Sequence, residues 1–318
     1  MEKEILVSVI MPAFNTELYI SEAIESILNQ TYPHFELLIA DDGSIDQTLS
    51  IIKSYQDPRI RLIEHKTNKG NVETMNALFR AAKGEYIMIQ DADDYSTLNR
   101  LAVLLNFMLQ NPNVDVVGSS YVKFDGFGHT DTYHLPVDLE EIRLKFDQMQ
   151  YPLPVLNGCC LFKSIIVKEE VLYRSLPYLK RGQDDDWLFR LSEKFLLGNV
   201  PDALYYYRSN PESTTLNIKH INLRTLFVQD FILYLKEERN RSGNDYLERR
   251  EMKLIDSFFT EKEEEVLSRD KTYLEKYIAN KYFLRKQRIQ GFKWLLLAAL
   301  KNITDIAIWK RIAVELFR

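Results

Sequence analysis

Cysteine is nearly absent: the 318 residues contain two, side by side at Cys159 and Cys160. A bond between neighbours is strained and the pair lacks metal-ligand spacing, so neither a disulfide framework nor a thiolate site is expected. Buried thiols in a reducing cytosol are the expectation. Long apolar runs are missing too. The longest, Trp294 to Leu300, falls far short of the ~20 residues that cross a bilayer. The apolar stretch at residues 5–11 is too short for a signal peptide and meets Pro12 and Asn15 at once, which suits a first strand. Positive charge is not in excess. A formal net charge of -5 argues against a general nucleic-acid binder. His65, His129, His134 and His220 lack ligand spacing and read as structural or solvated.

What is present is an ordinary globular composition, 46% hydrophobic and 27% charged, long enough for one large domain or one domain plus an appendage. Up to residue 118, apolar stretches alternate between strand and helix spacing with short connections. Strands are expected at Leu6–Met11, Phe35–Ala40, Ile60–Glu64, Tyr86–Gln90 and Val114–Val117. Helices are expected at Ile20–Leu28, Ile45–Tyr55, Val72–Ala82 and Leu98–Leu109. This is the rhythm of a doubly wound, mostly parallel α/β sheet. From Tyr121 to about Arg208 short strands (Tyr121–Phe124, Cys159–Lys163, Leu204–Arg208) are set among longer loops, with a helix starting near Asp185. Residues 216–318 read as helices only, giving a domain at 1–215 with halves 1–118 and 119–215, then a helical region.

Chemistry gathers at the strand ends. Tyr86-Ile87-Met88-Ile89 runs into Gln90-Asp91-Ala92-Asp93-Asp94, three carboxylates in four residues. Such carboxylates repel unless a cation lies among them, and Mg²⁺ or Mn²⁺ prefers oxygen ligands. The alternative is a helix start capped by Asp94 or Thr97. The first strand ends in Met11-Pro12-Ala13-Phe14-Asn15 and the second in Asp41-Asp42-Gly43-Ser44, where a carboxylate can accept from a base N–H or a ribose hydroxyl. Helix capping by Ser44 is the bland reading there. Asn68-Lys69-Gly70-Asn71 follows the third strand at a helix start. Gly182-Gln183-Asp184-Asp185-Asp186-Trp187 opens a helix, and a carboxylate there is either a general base or an N-cap. Tyr205-Tyr206-Tyr207-Arg208 delivers an Arg that either meets a phosphate or is solvated.

These residues bring a resemblance into view. Val7-Ser8-Val9-Ile10-Met11-Pro12-Ala13-Phe14-Asn15, Ser26-Ile27-Leu28-Asn29-Gln30-Thr31-Tyr32, Asp41-Asp42-Gly43-Ser44 with Asp46, Asn68-Lys69-Gly70, Ala81-Ala82-Lys83-Gly84-Glu85-Tyr86-Ile87 and Asp91-Ala92-Asp93-Asp94 resemble glycosyltransferase family 2, in order and in spacing, over roughly two-thirds of the chain. The resemblance implies a GT-A fold, a nucleotide-sugar donor (a UDP-sugar as first expectation) and inverting transfer to an acceptor hydroxyl. It implies that Pro12, Ala13, Phe14, Asn15, Asp41, Asp42, Asn68, Lys69, Gly70, Asp91, Ala92 and Arg208 surround the donor. It further implies that Asp93 with Asp91 holds Mn²⁺ or Mg²⁺, and that Asp184 is the catalytic base. Two positions depart from the pattern: Gln183 stands where many relatives have Glu, and Asn210 where a His often follows the Tyr-Arg pair.

Processive synthases of the wider family carry transmembrane helices and a Gln-x-x-Arg-Trp motif, and this chain shows neither. A nucleotidyltransferase would want a Gly-rich, basic loop after the first strand, where Pro12-Ala13-Phe14-Asn15 stands. The expected function is therefore a bacterial-type transferase adding one or a few sugars to a glycan or lipid-linked acceptor of the cell surface, on the cytoplasmic side. A family member that binds without turnover is the alternative. From Lys271 to Arg318 there are eleven Lys or Arg against three acids, a net +8. With Gly291-Phe292-Lys293-Trp294-Leu295-Leu296-Leu297 and Ile303–Phe317, this tail is either a peripheral anchor on anionic lipid or a helical subdomain packed on the core or a second subunit.

Overall fold

The computed structural model describes residues 4–125, 129–209 and 221–316. The chain divides into two compact units: Met1–Ser175 with Gln183–Asn210, and Leu176–Gly182 with Pro211–Arg318.

In the first unit β1 (Val7–Ala13), α1 (Ile20–Leu28), β2 (Phe35–Asp41), α2 (Thr48–Ser54), β3 (Ile60–Glu64), α3 (Asn71–Ala81) and β4 (Tyr86–Ile89) alternate as the hydrophobic spacing predicts. Then come β5 (Tyr95–Ser96), α4 (Arg100–Gln110), β6 (Val116–Phe124), β7 (Thr130–Tyr133), α5 (Leu139–Asp147), β8 (Leu161–Lys163), α6 (Ile165–Lys168), α7 (Gln183–Ser192) and β9 (Leu197–Arg208). Nine strands form one sheet in the order β3-β2-β1-β4-β8-β6-β9-β5, with β7 beside β6. β3, β2, β1 and β4 are parallel neighbours. β8 is reversed between β4 and β6, and β9 lies parallel to β6. Six strands therefore run one way; β8, β5 and β7 run against them. Helix stripes such as Ile20, Ala23, Ile24 and Ile27 of α1 cover the central strands, and Val9, Met11, Leu37, Ile39 and Met88 lie beneath them in the core.

β6 is one strand where the sequence suggests two, because Gly118, Ser119 and Ser120 interrupt its apolar run. Both serines are buried and paired with β9. β9 likewise starts at Leu197 rather than Leu204. Ser119 pairs with Val200 and Ser120 with Ala203, so the exposed Pro201 and Asp202 bulge out of a ladder that continues on either side.

The second unit contains α8 (Val228–Ser242), α9 (Met252–Arg269), α10 (Tyr273–Leu284), α11 (Arg288–Lys301) and α12 (Ile306–Leu316). Among the described residues it is helical apart from turns, as its periodicity suggests, and no described helix is long and apolar enough to cross a membrane.

Candidate active site

β1, β2 and β4 lie side by side and end together. Ala13 stands opposite Asp41, and just past β4 the Gln90 N–H donates to the Ile10 carbonyl at 3.0 Å. Their loops share the edge where open α/β sheets bind ligands. The β1 loop is stitched to the β2 loop: the Asn15 N–H donates to Ser44 Oγ (3.0 Å), and the Ile45 N–H to Asn15 Oδ1 (2.9 Å). Asn15 takes φ 51°, a turn that exposes the Phe14 ring. Ala13 turns its methyl into the core, as does Ala92, so either can meet a ligand only through its backbone.

The two aspartates after β2 are differently engaged. Asp42 is buried and accepts from the Lys69 N–H (2.8 Å), the Gly70 N–H (2.9 Å) and His65 Nδ1 (3.0 Å). Burial alone would push its carboxyl up, but these donors outweigh it and hold it below its ordinary range. Asp42 is thereby the knot that ties Lys69 and Gly70, which Asn68 directly precedes, to the β2 end. Asp41 accepts from the Ser44 N–H at 3.1 Å through Oδ2, while its buried Oδ1 has no partner among the described residues.

After β4 the three carboxylates diverge. Asp94 is buried, accepting from the Tyr205 hydroxyl (2.7 Å) and the Arg208 N–H (2.6 Å). α4 begins at Arg100 with no side-chain cap, so neither Asp94 nor Thr97 is there to cap it. Asp91, half-buried, accepts from the same hydroxyl at 3.1 Å. Its carboxyl is pushed up to about 6, first by burial and then by the charges of Asp93 and, more weakly, Asp184. Arg208 serves this loop: Nε donates to the Asp93 carbonyl (2.8 Å), the guanidinium pairs with Glu22, and the rings of Tyr19 and Phe124 sandwich it at 4.6 and 4.4 Å. Arg208 is thus not merely solvated: it clamps the acidic turn.

The acids opening α7 separate in the same way. Asp186 is buried in a fork from Arg174 (2.6 and 2.8 Å), with Arg190 Nε at 2.9 Å. Asp185, half-buried, is pushed up to about 7 by burial first and by Asp184 next, while the Tyr151 hydroxyl opposes the shift. Asp184 reaches solvent. The surrounding protein raises its carboxyl, water tempers that rise, and the N–H groups of Asp184 and Asp185 oppose it. Asn210 and His220 lie outside the described residues.

Glycosyl transferase family 2 matches residues 8–172, over half of the chain. The chain belongs to this family. It is a glycosyltransferase with the GT-A fold. It is 36% identical over 211 residues to the provisionally named glycosyltransferase EpsE of Bacillus subtilis (strain 168), covering 65% of this chain and 74% of EpsE. It is 29% identical over 214 residues to the UDP-Glc:alpha-D-GlcNAc-diphosphoundecaprenol beta-1,3-glucosyltransferase WfaP of Escherichia coli, covering 67% and 80%. Among solved structures, S. aureus TarS 1-349 in complex with UDP-GlcNAc superposes with a TM-score of 0.54 at 22% identity, over 70% of this chain and 66% of that one. The mannosyltransferase PcManGT from Pyrobaculum calidifontis in complex with GDP-Man and Mn²⁺ gives 0.53 at 17% identity, over 98% and 79%.

Three residues of this candidate site escape sequence reasoning. Fully buried Arg100 donates to the Ile89 carbonyl (3.0 Å), the Gly158 carbonyl (2.7 Å), Gln90 Oε1 (3.1 Å) and Ser96 Oγ (2.9 Å), and lies over the Tyr205 ring. Its only sequence signal is a cation at the start of an apolar helical stripe. Tyr205 holds two carboxylates through one hydroxyl. Gly158 leaves room that a Cβ would fill, 2.9 Å from Asp91 Oδ2.

Proposed function

We propose that this glycosyltransferase moves a sugar from a nucleotide-sugar, in first place a UDP-sugar, to a hydroxyl of a glycan or lipid-linked acceptor in bacterial cell-surface polysaccharide synthesis. Transfer inverts the anomeric centre and depends on a divalent cation. The name of WfaP, which gives a UDP-sugar donor and a diphosphoundecaprenol-linked acceptor, and the UDP-GlcNAc bound by TarS support the substrate classes. The observation that carries the mechanism is the sorting of the three α7 acids. Asp186 is locked between two arginines and Asp185 lies against Tyr151, which leaves Asp184 facing water while its charge is felt at Asp91.

Asp184 takes the acceptor proton as the acceptor oxygen attacks the anomeric carbon. The bond to the diphosphate breaks on the opposite face, and the leaving group departs with the electron pair. A carboxyl raised by its surroundings is a stronger base than one in water, so the shift has the required sign. Asp41 Oδ1, buried and unpartnered among the described residues, is the acceptor offered to a base N–H or ribose hydroxyl. Ala13 stands opposite Asp41, with Pro12 before it in β1 and Phe14 just after, and Lys69 and Gly70 are held by Asp42.

Among the described residues no three His, Cys, Asp or Glu stand ready as a complete metal cage. The donor set still fits Mn²⁺ or Mg²⁺. Asp91 and Asp93 share one turn and repel, and such ions need only one or two carboxylates when substrate phosphates supply the rest. Asp91 and Asp93 would hold such a cation, and when bound it would neutralise charge on the departing diphosphate.

The test is binding and hydrolysis across a nucleotide-sugar panel with Mn²⁺, Mg²⁺ or chelator. Asp184→Asn is expected to keep donor affinity and lose turnover by about 10²–10⁴-fold, the usual weight of a general base. Asp93→Ala is expected to lose donor affinity in the presence of metal. Unchanged turnover in Asp184→Asn removes the base from the mechanism, and equal rates in chelator remove the cation.

A further inference from the structure

The last two helices of the second unit carry apolar surface on their outer sides. α11 buries Gly291, Leu295, Ala298 and Ala299 on one face, and α12 buries Ile308 and Ile312; with Ala279 these make a small core of their own. The opposite face of α11 is not polar. Ile289, Leu296 and Leu300 are 75%, 45% and 70% exposed. With Lys293 they follow at spacings of three or four residues, which is a single stripe. α12 repeats the arrangement, with Ile306, Trp309 and Val314 exposed around Lys310, and exposed Ile303 bridges the two helices. A surface helix ordinarily turns a polar face to water. Two successive helices that are apolar on both sides mark a surface that something covers.

We propose that this outer face of α11 and α12 docks on an anionic lipid bilayer, with both helices lying in the headgroup region. Charge complementarity points there: the segment from Lys271 onward carries eleven basic residues against three acids. A cavity of about 530 Å³ is lined by Lys286, Arg288, Arg311 and Glu315, three cations to one acid, with Phe283 and Leu284. The placement of lysine decides between a bilayer and a protein partner. Lys293 and Lys310 sit within the apolar stripes, where a protein interface would bury them, and lysine is depleted from interface cores. At a bilayer the same side chains lay their stems along the acyl boundary and lift the ammonium to the phosphates. Trp309, half-exposed with its indole N–H donating to the Ile303 carbonyl at 3.0 Å, has the amphipathic character of an interfacial anchor.

The experiment is flotation of the full chain with vesicles of phosphatidylcholine alone or mixed with phosphatidylglycerol, at low and high salt. Two variants accompany it, Leu300→Glu with Ile306→Glu, and Lys293→Glu with Lys310→Glu. The wild type is expected to float with anionic vesicles only, less so in high salt, with a blue shift of tryptophan emission. Each double substitution is expected to weaken binding about tenfold or more, with helicity and donor affinity unchanged. Failure of the wild type to bind anionic vesicles at low salt overturns the proposal, as does binding that neither variant weakens. A wild-type dimer that Leu300→Glu with Ile306→Glu splits, without vesicle binding, would assign the face to a second copy and overturn it too. Donor affinity measured in the same samples keeps this outcome separate from the transferase reading.

Discussion

At Gly158 an added Cβ would stand 2.9 Å from Asp91 Oδ2 and 3.0 Å from the Tyr205 hydroxyl. The hydroxyl cannot give way, because it is held at 2.7 Å by Asp94 and its ring lies over buried Arg100. The Asp91 carboxylate is the softer neighbour and would swing. Gly158→Ala is therefore expected to cost roughly 1–3 kcal/mol in stability from overpacking. It should also weaken the affinity for the divalent cation about tenfold, the scale of a displaced ligand support. A Mn²⁺ titration of donor hydrolysis beside a thermal melt reads both. A melt that shifts with an unchanged Mn²⁺ midpoint would mean that the space at position 158 serves packing alone.

At the scale of elements, the turn after β2 depends on one carboxylate. Asp42 joins Lys69, Gly70 and His65 to the strand end, and Gly70 takes φ 90° at the start of α3 to make that approach. Asp42→Asn keeps the shape but loses the charge, which is expected to cost about 1–2 kcal/mol at neutral pH, the difference between charged and neutral acceptors. The sign of the pH dependence follows from the lowered folded value. The contribution is whole above the ordinary aspartate range near 3.8 and fades as pH falls through the lower folded value, where wild type and variant converge. Denaturant melts from pH 7 to 3 check this; a gap that stays constant in acid would place the effect elsewhere. The elements themselves were largely legible. Strands buried on both faces, such as Phe35–Asp41, read as apolar runs (here Leu37–Ala40, with Glu36 the one charge before the end), and Ile60–Glu64 has the bounds its composition suggests. β7 is wholly exposed and polar, and β5 is two residues long, so neither leaves a periodic signal. The acidic turn was legible because its charges follow an apolar strand directly. Arg100 and Tyr205 were not, because each acts across 58 or 114 residues of sequence, at contacts that only the folded sheet creates.

On the scale of the whole molecule, each unit has its own apolar core, and the only two thiols lie in the first. Cys159 and Cys160 are fully buried next to β8, in mid-sheet. Burial pushes the Cys159 thiol up to about 12 and that of Cys160 higher still, far above the range in which a thiolate reacts. Alkylation by iodoacetamide is therefore expected to wait for the first unit to open, so its rate measures that unit's stability independently of the helical one. The donor site proposed above draws only on residues of this unit. Nucleotide-sugar with Mn²⁺ at about 100 times its Kd should then slow labelling about 100-fold, the kinetic image of roughly 2.7 kcal/mol of linkage. Labelling that is fast without denaturant would show that the mid-sheet opens locally. Labelling that stays slow but ignores a saturating donor would place the binding site outside the unit holding Asp41, Asp91 and Asp184, against the mechanism proposed for it.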